Sequence, residues 1–135
     1  MQWTSQLMLG VEEMDKEHKE LVDAVERLYQ EMLKGKGKKA VSETIDFLGN
    51  YVVTHFKHEE ELQRKYGYPD FQAHKKIHAD FIEGFNKLKT QINESEIDSK
   101  LAIEVNKTAV DWLRNHIGKE DRKVSEYILQ KRLEA

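Results

Sequence analysis

The clearest pattern of apolar positions in the chain lies between Phe71 and Ile92. Inward positions recur there at alternating steps of three and four, the period of a helix that turns one face toward a bundle core. They are Phe71, His74, His78, Phe81, Phe85, Leu88 and Ile92. Because His74 and His78 are four residues apart, the pattern predicts two buried imidazoles about 6 Å apart on one helical face.

The same period predicts three more long helices and a short final one. Their spans are about Glu12 or Asp15 to Lys34, Lys39 to Lys65, Asp98 or Ser99 to the region of His116, and Arg122 to Arg132. The helix with the two histidines should begin after Pro69, with Asp70 as its cap, and end near Asn93. Residues 1–11 should form an irregular arm, with Trp3 over one end of the core. These elements predict an all-α fold, an antiparallel up-down-up-down four-helix bundle with a short C-terminal helix.

The composition narrows the classes of function. The 135 residues are expected to form a single domain, residues 1–135, with its own core. The chain has no cysteine, so any metal must be bound by nitrogen and oxygen. Acids and bases are interspersed at a net charge of -3, which argues against nucleic-acid binding. No apolar run approaches the roughly 18 residues of a membrane span, and no signal-like segment precedes the first helix, which predicts a cytoplasmic protein without a membrane partner.

Seven ionisable side chains fall on the inward faces, at a similar height on each helix. They are His18, His55, Glu59, His74, His78, His116 and Asp121. Seven unrelated buried polar groups would each need a separate hydrogen-bond solution, whereas one shared metal site satisfies all of them. The sixth histidine, His58, falls off the inward stripe and is not expected to be a ligand. Its neighbours Glu60 and Glu61 are expected to be solvated.

The spacing of the last two candidates requires an irregular helix. Asp121 follows His116 by five residues, which places the two side chains about 140° apart around a regular α-helix. Both can face one site only if the helix is distorted or broken between them. We therefore predict a distortion near Gly118, which has no side chain to resist it.

Five imidazoles and two carboxylates without sulfur favour iron over zinc, copper or manganese. If both carboxylates bridge two irons, the side chains and one bridging hydroxide supply eleven of about twelve coordination positions. If three histidines bind one iron and two bind the other, the remaining position lies on the iron with two histidines. It should accept one small ligand. Di-iron oxygenases and ferritins use four carboxylates and Glu-x-x-His motifs, which this chain does not contain. This difference favours ligand binding over an enzymatic reaction.

Four segments resemble the hemerythrin family, in particular the bacterial hemerythrins. They are DKEHKEL at residues 15–21, HFKHEE at 55–60, HKKIHADF at 74–81, and WLRNHI at 112–117 leading to Asp121. The resemblance implies reversible O2 binding at a non-heme di-iron site with a bridging oxo or hydroxo group. It implies that His74, His78 and His116 hold one iron, that His18 and His55 hold the other, and that Glu59 and Asp121 bridge them. It also implies an apolar O2 pocket formed by Phe56, Leu113 and Ile117.

Other classes of function remain open at this stage. An O2 or redox sensor would move the N-terminal arm, but such a role usually needs an output domain for which these 135 residues leave no room. A di-iron enzyme acting on peroxide or nitric oxide is a further alternative, and a metal-free bundle with a polar layer is the last. The sequence identifies no protein partner.

Overall fold

The computed structural model describes residues 3–134, which form five α-helices and no β-strand. A short 3-10 turn at Ser5–Leu7 comes first. The helices are α1 (Glu12–Leu33), α2 (Lys38–Tyr66), α3 (Phe71–Glu94), α4 (Ser99–Asn115) and α5 (Arg122–Glu134), and a π-helical segment at His116–Asp121 joins α4 to α5. The predicted four-helix bundle with a short C-terminal helix is confirmed. None of these helices combines the length and the apolar character needed to cross a bilayer.

Short connections make consecutive helices antiparallel neighbours. α1 packs against both α2 and α4, and α2 also packs against α3. The backbones of α3 and α4 approach each other less closely, and an apolar groove lies between them. For this reason Phe81, Phe85 and Leu88 of the predicted inward stripe are only half-buried, whereas His74, His78 and Ile92 are buried.

Two helix ends have the capping structure that their residue type favours, and one predicted cap does not form. Gly67 ends α2 in the left-handed region, with φ 68°, where glycine has no steric penalty. Asp98 caps α4, since its Oδ1 accepts a hydrogen bond from the Leu101 amide at 2.8 Å. The predicted cap at Asp70 is wrong, because its side chain makes no capping hydrogen bond. Its backbone, at φ -96° and ψ 26°, lacks the extended conformation that aims a capping side chain at the helix amides.

The N-terminal arm is fixed to the bundle by specific contacts. Trp3 is half-buried and packs against the core as expected, while Leu9 and Val11 are part of the core. The Asp15 carboxylate accepts hydrogen bonds from the amides of Leu9, at 2.8 Å, and Gly10, at 3.1 Å. The arm therefore closes the end of the bundle near the start of α1.

Candidate metal centre

All seven predicted ligands meet in one buried cluster. Each is at most 3% exposed, in a bundle whose other buried positions are largely apolar. α1 supplies one of them, α2 and α3 supply two each, and the π-helical segment supplies the last pair. In chain order they are His18, His55, Glu59, His74, His78, His116 and Asp121.

The π-helical segment solves the spacing problem of the last pair. A π-helix closes its hydrogen bonds from residue i to residue i+5, so a residue five positions along returns to the same face. His116 Nε2 and Asp121 Oδ1 accordingly lie 3.1 Å apart. The predicted distortion is confirmed, but its supposed reason is not. Gly118 does not have a positive φ, and a Cβ atom there would meet open space, so glycine is not required at this position.

The potential ligand atoms form two groups, and in each group they lie within 4.8 Å of one another. His74, His78 and His116 form one group with the two carboxylates, and His18 and His55 form the other with the same carboxylates. No further group of three or more His, Asp or Glu residues with this spacing occurs among residues 3–134. The seven side chains therefore define two neighbouring candidate metal positions, which share the carboxylates of Glu59 and Asp121.

Each carboxylate directs one oxygen toward each group. Glu59 Oε2 lies 2.9 Å from His18 Nε2 and 3.2 Å from His55 Nε2. Glu59 Oε1 lies 3.1 Å from His78 Nε2 and 3.7 Å from His116 Nε2. This is the arrangement expected of a carboxylate that bridges two metal ions.

Asp121 likewise directs one oxygen toward each group. Its Oδ2 lies 2.9 Å from His18 Nε2, in the two-histidine group. Its Oδ1 lies 3.0 Å from His74 Nε2 and 3.1 Å from His116 Nε2, in the three-histidine group. Both carboxylates therefore have the geometry to link the two positions.

Several of these atoms are close to one another without being hydrogen-bonded. Both oxygens of Asp121, Oε1 of Glu59, and Nε2 of His55 and of His74 have no hydrogen-bond partner although they are buried. Leaving buried polar atoms unsatisfied costs about 1–3 kcal/mol each, and more for a charged group. Nitrogen and oxygen lone pairs that converge without pairing fit a bound cation, so the residues present suit a pair of metal ions.

In the metal-free chain the carboxylates retain protons on the neighbouring imidazoles. Burial lowers the pKa of His18, but Asp121 and Glu59 outweigh this effect and raise that pKa to about 10. The same balance raises the pKa of His74 to about 9 and that of His116 to about 9. A metal ion must displace these protons, because only the neutral imidazole is a ligand.

The carboxylates themselves are held in the charged form. Burial raises the pKa of Glu59, but the surrounding imidazoles outweigh burial and keep that pKa well below its usual value. Burial and the nearby Glu59 raise the pKa of Asp121, whereas His116 and His18 outweigh them and lower it. The cluster therefore presents two negative charges to any bound metal.

Two glutamates outside the cluster hold the outer nitrogens of candidate ligands. Glu17 Oε1 lies 2.9 Å from His55 Nδ1, and Glu60 Oε2 lies 3.1 Å from His78 Nδ1. Such contacts fix which nitrogen of an imidazole faces the metal. The expectation that Glu60 is merely solvated is wrong, since its side chain is 17% exposed and reaches across to α3.

His58 lies outside both groups. Its side chain is 49% exposed, and its Nδ1 lies 2.6 Å from Glu17 Oε2. Glu17 therefore contacts His55 with one oxygen and His58 with the other. Glu61 is exposed, as predicted.

Aromatic rings stack on two histidines of the three-histidine group. The Phe56 ring stacks on His78, with centroids 3.8 Å apart, and Trp112 stacks on His116 at 4.5 Å. Leu113 and Ile117 are 4% and 0% exposed. Sequence reasoning placed Trp112 in the core but missed its contact with His116, although the spacing of four residues on one helix indicates it.

The fold and the cluster define a class of protein, an all-α bundle whose core offers five imidazoles and two shared carboxylates to a pair of metal ions. Comparison with known proteins agrees with this class, because residues 9–128 match the model of the hemerythrin HHE cation binding domain. The chain belongs to the hemerythrin family, which confirms the resemblance seen in the sequence.

Individual relatives match the chain over most of its length. Myohemerythrin from Theromyzon tessulatum is 34% identical over 116 residues, 86% of this chain and 83% of the relative. Bacteriohemerythrin from Methylococcus capsulatus is 32% identical over 123 residues, 90% of this chain and 92% of the relative. A crystal structure of wild-type hemerythrin has a TM-score of 0.80 at 31% identity and covers 95% of this chain and 97% of that chain.

Proposed function

We propose that this protein binds O2 reversibly at a non-heme di-iron centre and thereby stores, carries or delivers O2. The observation that carries the proposal is the division of the cluster into two groups that share Glu59 and Asp121. Membership of the hemerythrin family supports iron as the metal, and a donor set of nitrogen and oxygen without sulfur is compatible with it.

In this proposal His74, His78 and His116 hold one iron, and His18 and His55 hold the other. Glu59 and Asp121 would hold both irons, and an oxo or hydroxo group would complete the centre. When bound, a ferrous pair would supply the two electrons on which reversible O2 binding depends. The side with two histidines has fewer side-chain ligands and is the proposed place for O2.

The remaining side chains keep the centre in one geometry and away from water. Glu17 and Glu60 orient His55 and His78 through their outer nitrogens. Phe56, Leu113 and Ile117 are the proposed apolar lining of the O2 pocket, in line with their burial. An apolar lining would exclude water, which favours the release of bound O2 as O2 rather than as peroxide.

The proposed role is binding rather than catalysis. Five neutral imidazoles stabilise high-valent iron less than a set of four carboxylates does, so cleavage of the O–O bond is disfavoured.

The family match covers residues 9–128, and we propose that residues 1–135 form a single domain with O2 as its small-molecule partner.

The test is to measure the metal content and the visible spectrum of the ferrous protein as O2 is admitted and then removed. Two irons per chain and an absorption that appears with O2 and disappears without it support the proposal. Protein that binds no iron contradicts it. Irreversible bleaching, with turnover of peroxide, would show a di-iron enzyme instead.

A further inference from the structure

A cleft between α1 and α2 leads from the protein surface toward the candidate centre. Its volume is about 670 Å³, and its wall includes Glu59, one of the two shared carboxylates. Glu59 is itself only 1% exposed, and its Oε1 has no hydrogen-bond partner. Three other cavities among the described residues have no candidate ligand in their walls. The cleft therefore brings solvent up to a shared carboxylate, which itself remains almost fully shielded.

A chain of contacts between potential ligand groups connects the wall of this cleft with the cluster. His58 in the cleft wall is 49% exposed, and its Nδ1 lies 2.6 Å from Glu17 Oε2. Glu17, 18% exposed, places its other oxygen 2.9 Å from His55 Nδ1. His55 Nε2 then lies 3.2 Å from Glu59 Oε2. Every step in this series is an imidazole nitrogen or a carboxylate oxygen, the donors that a divalent first-row metal accepts.

The charge of the cleft favours a cation. Its wall contains five glutamates, including Glu59, and two lysines. A concave surface with a surplus of negative charge concentrates cations and speeds their entry. The groove between α3 and α4 offers the opposite environment, because Phe81, Phe85 and Trp112 form much of its wall and Asp80 is its one carboxylate. A hydrated divalent cation would lose its water there without replacement ligands.

We propose that Fe2+ enters the centre through this cleft and that His58 and Glu17 bind it in passing. The inference rests on the proposed di-iron function and assigns a role to His58, the histidine outside the cluster. His58 and Glu17 belong to no group of three closely spaced ligands among the described residues. Two ligands suit transient binding rather than retention.

The experiment compares a cleft variant with a charge-matched control. The cleft variant carries His58→Gln, Glu20→Gln and Glu61→Gln, which remove one imidazole and two carboxylates from the wall and leave Glu17 in contact with His55. The control carries Glu104→Gln and Glu126→Gln, two exposed positions on α4 and α5. Circular dichroism of the metal-free proteins checks that all of them are folded.

Two rates are measured on the full chain. The first is iron loading of metal-free protein by Fe2+ without O2, and the second is iron release from loaded protein to an excess of ferrous chelator. We expect both rates to fall by the same factor in the cleft variant, about 3 to 10-fold, since local charge changes such rates by tenfold or more. Equal slowing leaves the affinity, two irons per chain and the visible spectrum unchanged. Added salt should reduce the difference in these rates between the unmodified protein and the cleft variant.

Other outcomes overturn the inference. Loading and release that match the control would show that the cleft is not the route. Slower loading with faster release would show that these residues stabilise the centre instead of leading to it. Failure of the unmodified chain to bind iron contradicts the proposed function itself, and this result is distinct from both.

Discussion

Asp121 has no hydrogen-bond partner for either of its oxygens, although three imidazole nitrogens lie within 3.1 Å of them. A buried carboxylate in this position is costly in a folded protein unless a cation compensates it. Protons on His18 and its neighbours provide partial compensation in the metal-free chain. At the scale of single residues, the cluster thus favours metal binding over internal pairing.

Leu113 gives a test of the apolar pocket. Replacing it with Asn places a polar group of similar size in a buried position and should admit water beside bound O2. We expect autoxidation of the O2-bound protein to accelerate about fivefold or more, which corresponds to about 1 kcal/mol. The decay of the O2-dependent absorption measures the rate. Leu113→Met keeps the site apolar and should change it little, and an unchanged rate in Leu113→Asn would contradict the role of Leu113 in the pocket.

A comparison of His58 with His55 tests which histidine of α2 binds iron. The two residues lie three positions apart on this helix. His58→Ala removes a half-exposed imidazole outside the two groups and should leave two irons per chain at equilibrium. His55→Ala removes a buried ligand of the two-histidine group and should reduce the iron content. Colorimetric iron assay of the purified variants measures both. A loss of iron in His58→Ala would place this residue in the centre.

The element that decides the geometry of the site is the π-helical segment between α4 and α5. It adds a residue to the turn and thereby aligns His116 with Asp121, while Ile117 is fully buried within it. The sequence predicts this distortion because five-residue spacing and a shared face are incompatible in a regular α-helix. The same reasoning placed the cause at Gly118, where an added Cβ would meet open space.

Gly118→Ala tests that correction. Because φ is not positive and a Cβ meets no atom, alanine should stabilise the protein by about 0.5–1 kcal/mol through lower chain entropy. Gly67→Ala is the matched control. Because φ 68° at the end of α2 disfavours alanine, this substitution should destabilise the protein by about 1 kcal/mol. Chemical denaturation measures both variants, and iron content should stay at two per chain. Destabilisation by Gly118→Ala would restore a requirement for glycine in the π-helical segment.

Periodicity identified the helices and the inward register, because the 3.6-residue repeat reports directly on which face is buried. It did not reveal what lies across the bundle from a residue at the edge of that face. Glu17 and Glu60 were therefore missed, although each contacts an imidazole on a neighbouring helix. The capping difference between Asp70 and Asp98 depends on the backbone conformation before the helix, which residue type alone does not fix.

In the molecule as a whole, the seven buried ionisable side chains form a charged layer across the apolar core of the bundle. The apolar core cluster supplies the burial that holds the helices together. Protons compensate the layer in the metal-free protein, and metal ions would compensate it in a loaded protein. Folding stability and metal binding are therefore linked through the same imidazoles.

This linkage predicts how stability of the metal-free protein depends on pH. His18, His74 and His116 have folded-state pKa values of about 10, about 9 and about 9, above the unfolded value of about 6.5. Their contribution is fully present below pH of about 6.5 and is lost as pH rises through 9 to 10. Denaturant midpoints of the metal-free protein should therefore decrease between about pH 6.5 and 9.5.

Two controls make the pH prediction specific to the cluster. Iron-loaded protein should show a flatter profile over this interval, because its ligand imidazoles have already lost their protons. Asp121→Asn removes a charge that raises the pKa of all three histidines and should reduce the slope in the metal-free protein. An equal slope in all three proteins would mean that groups outside the cluster determine the pH dependence, since only the cluster differs among them.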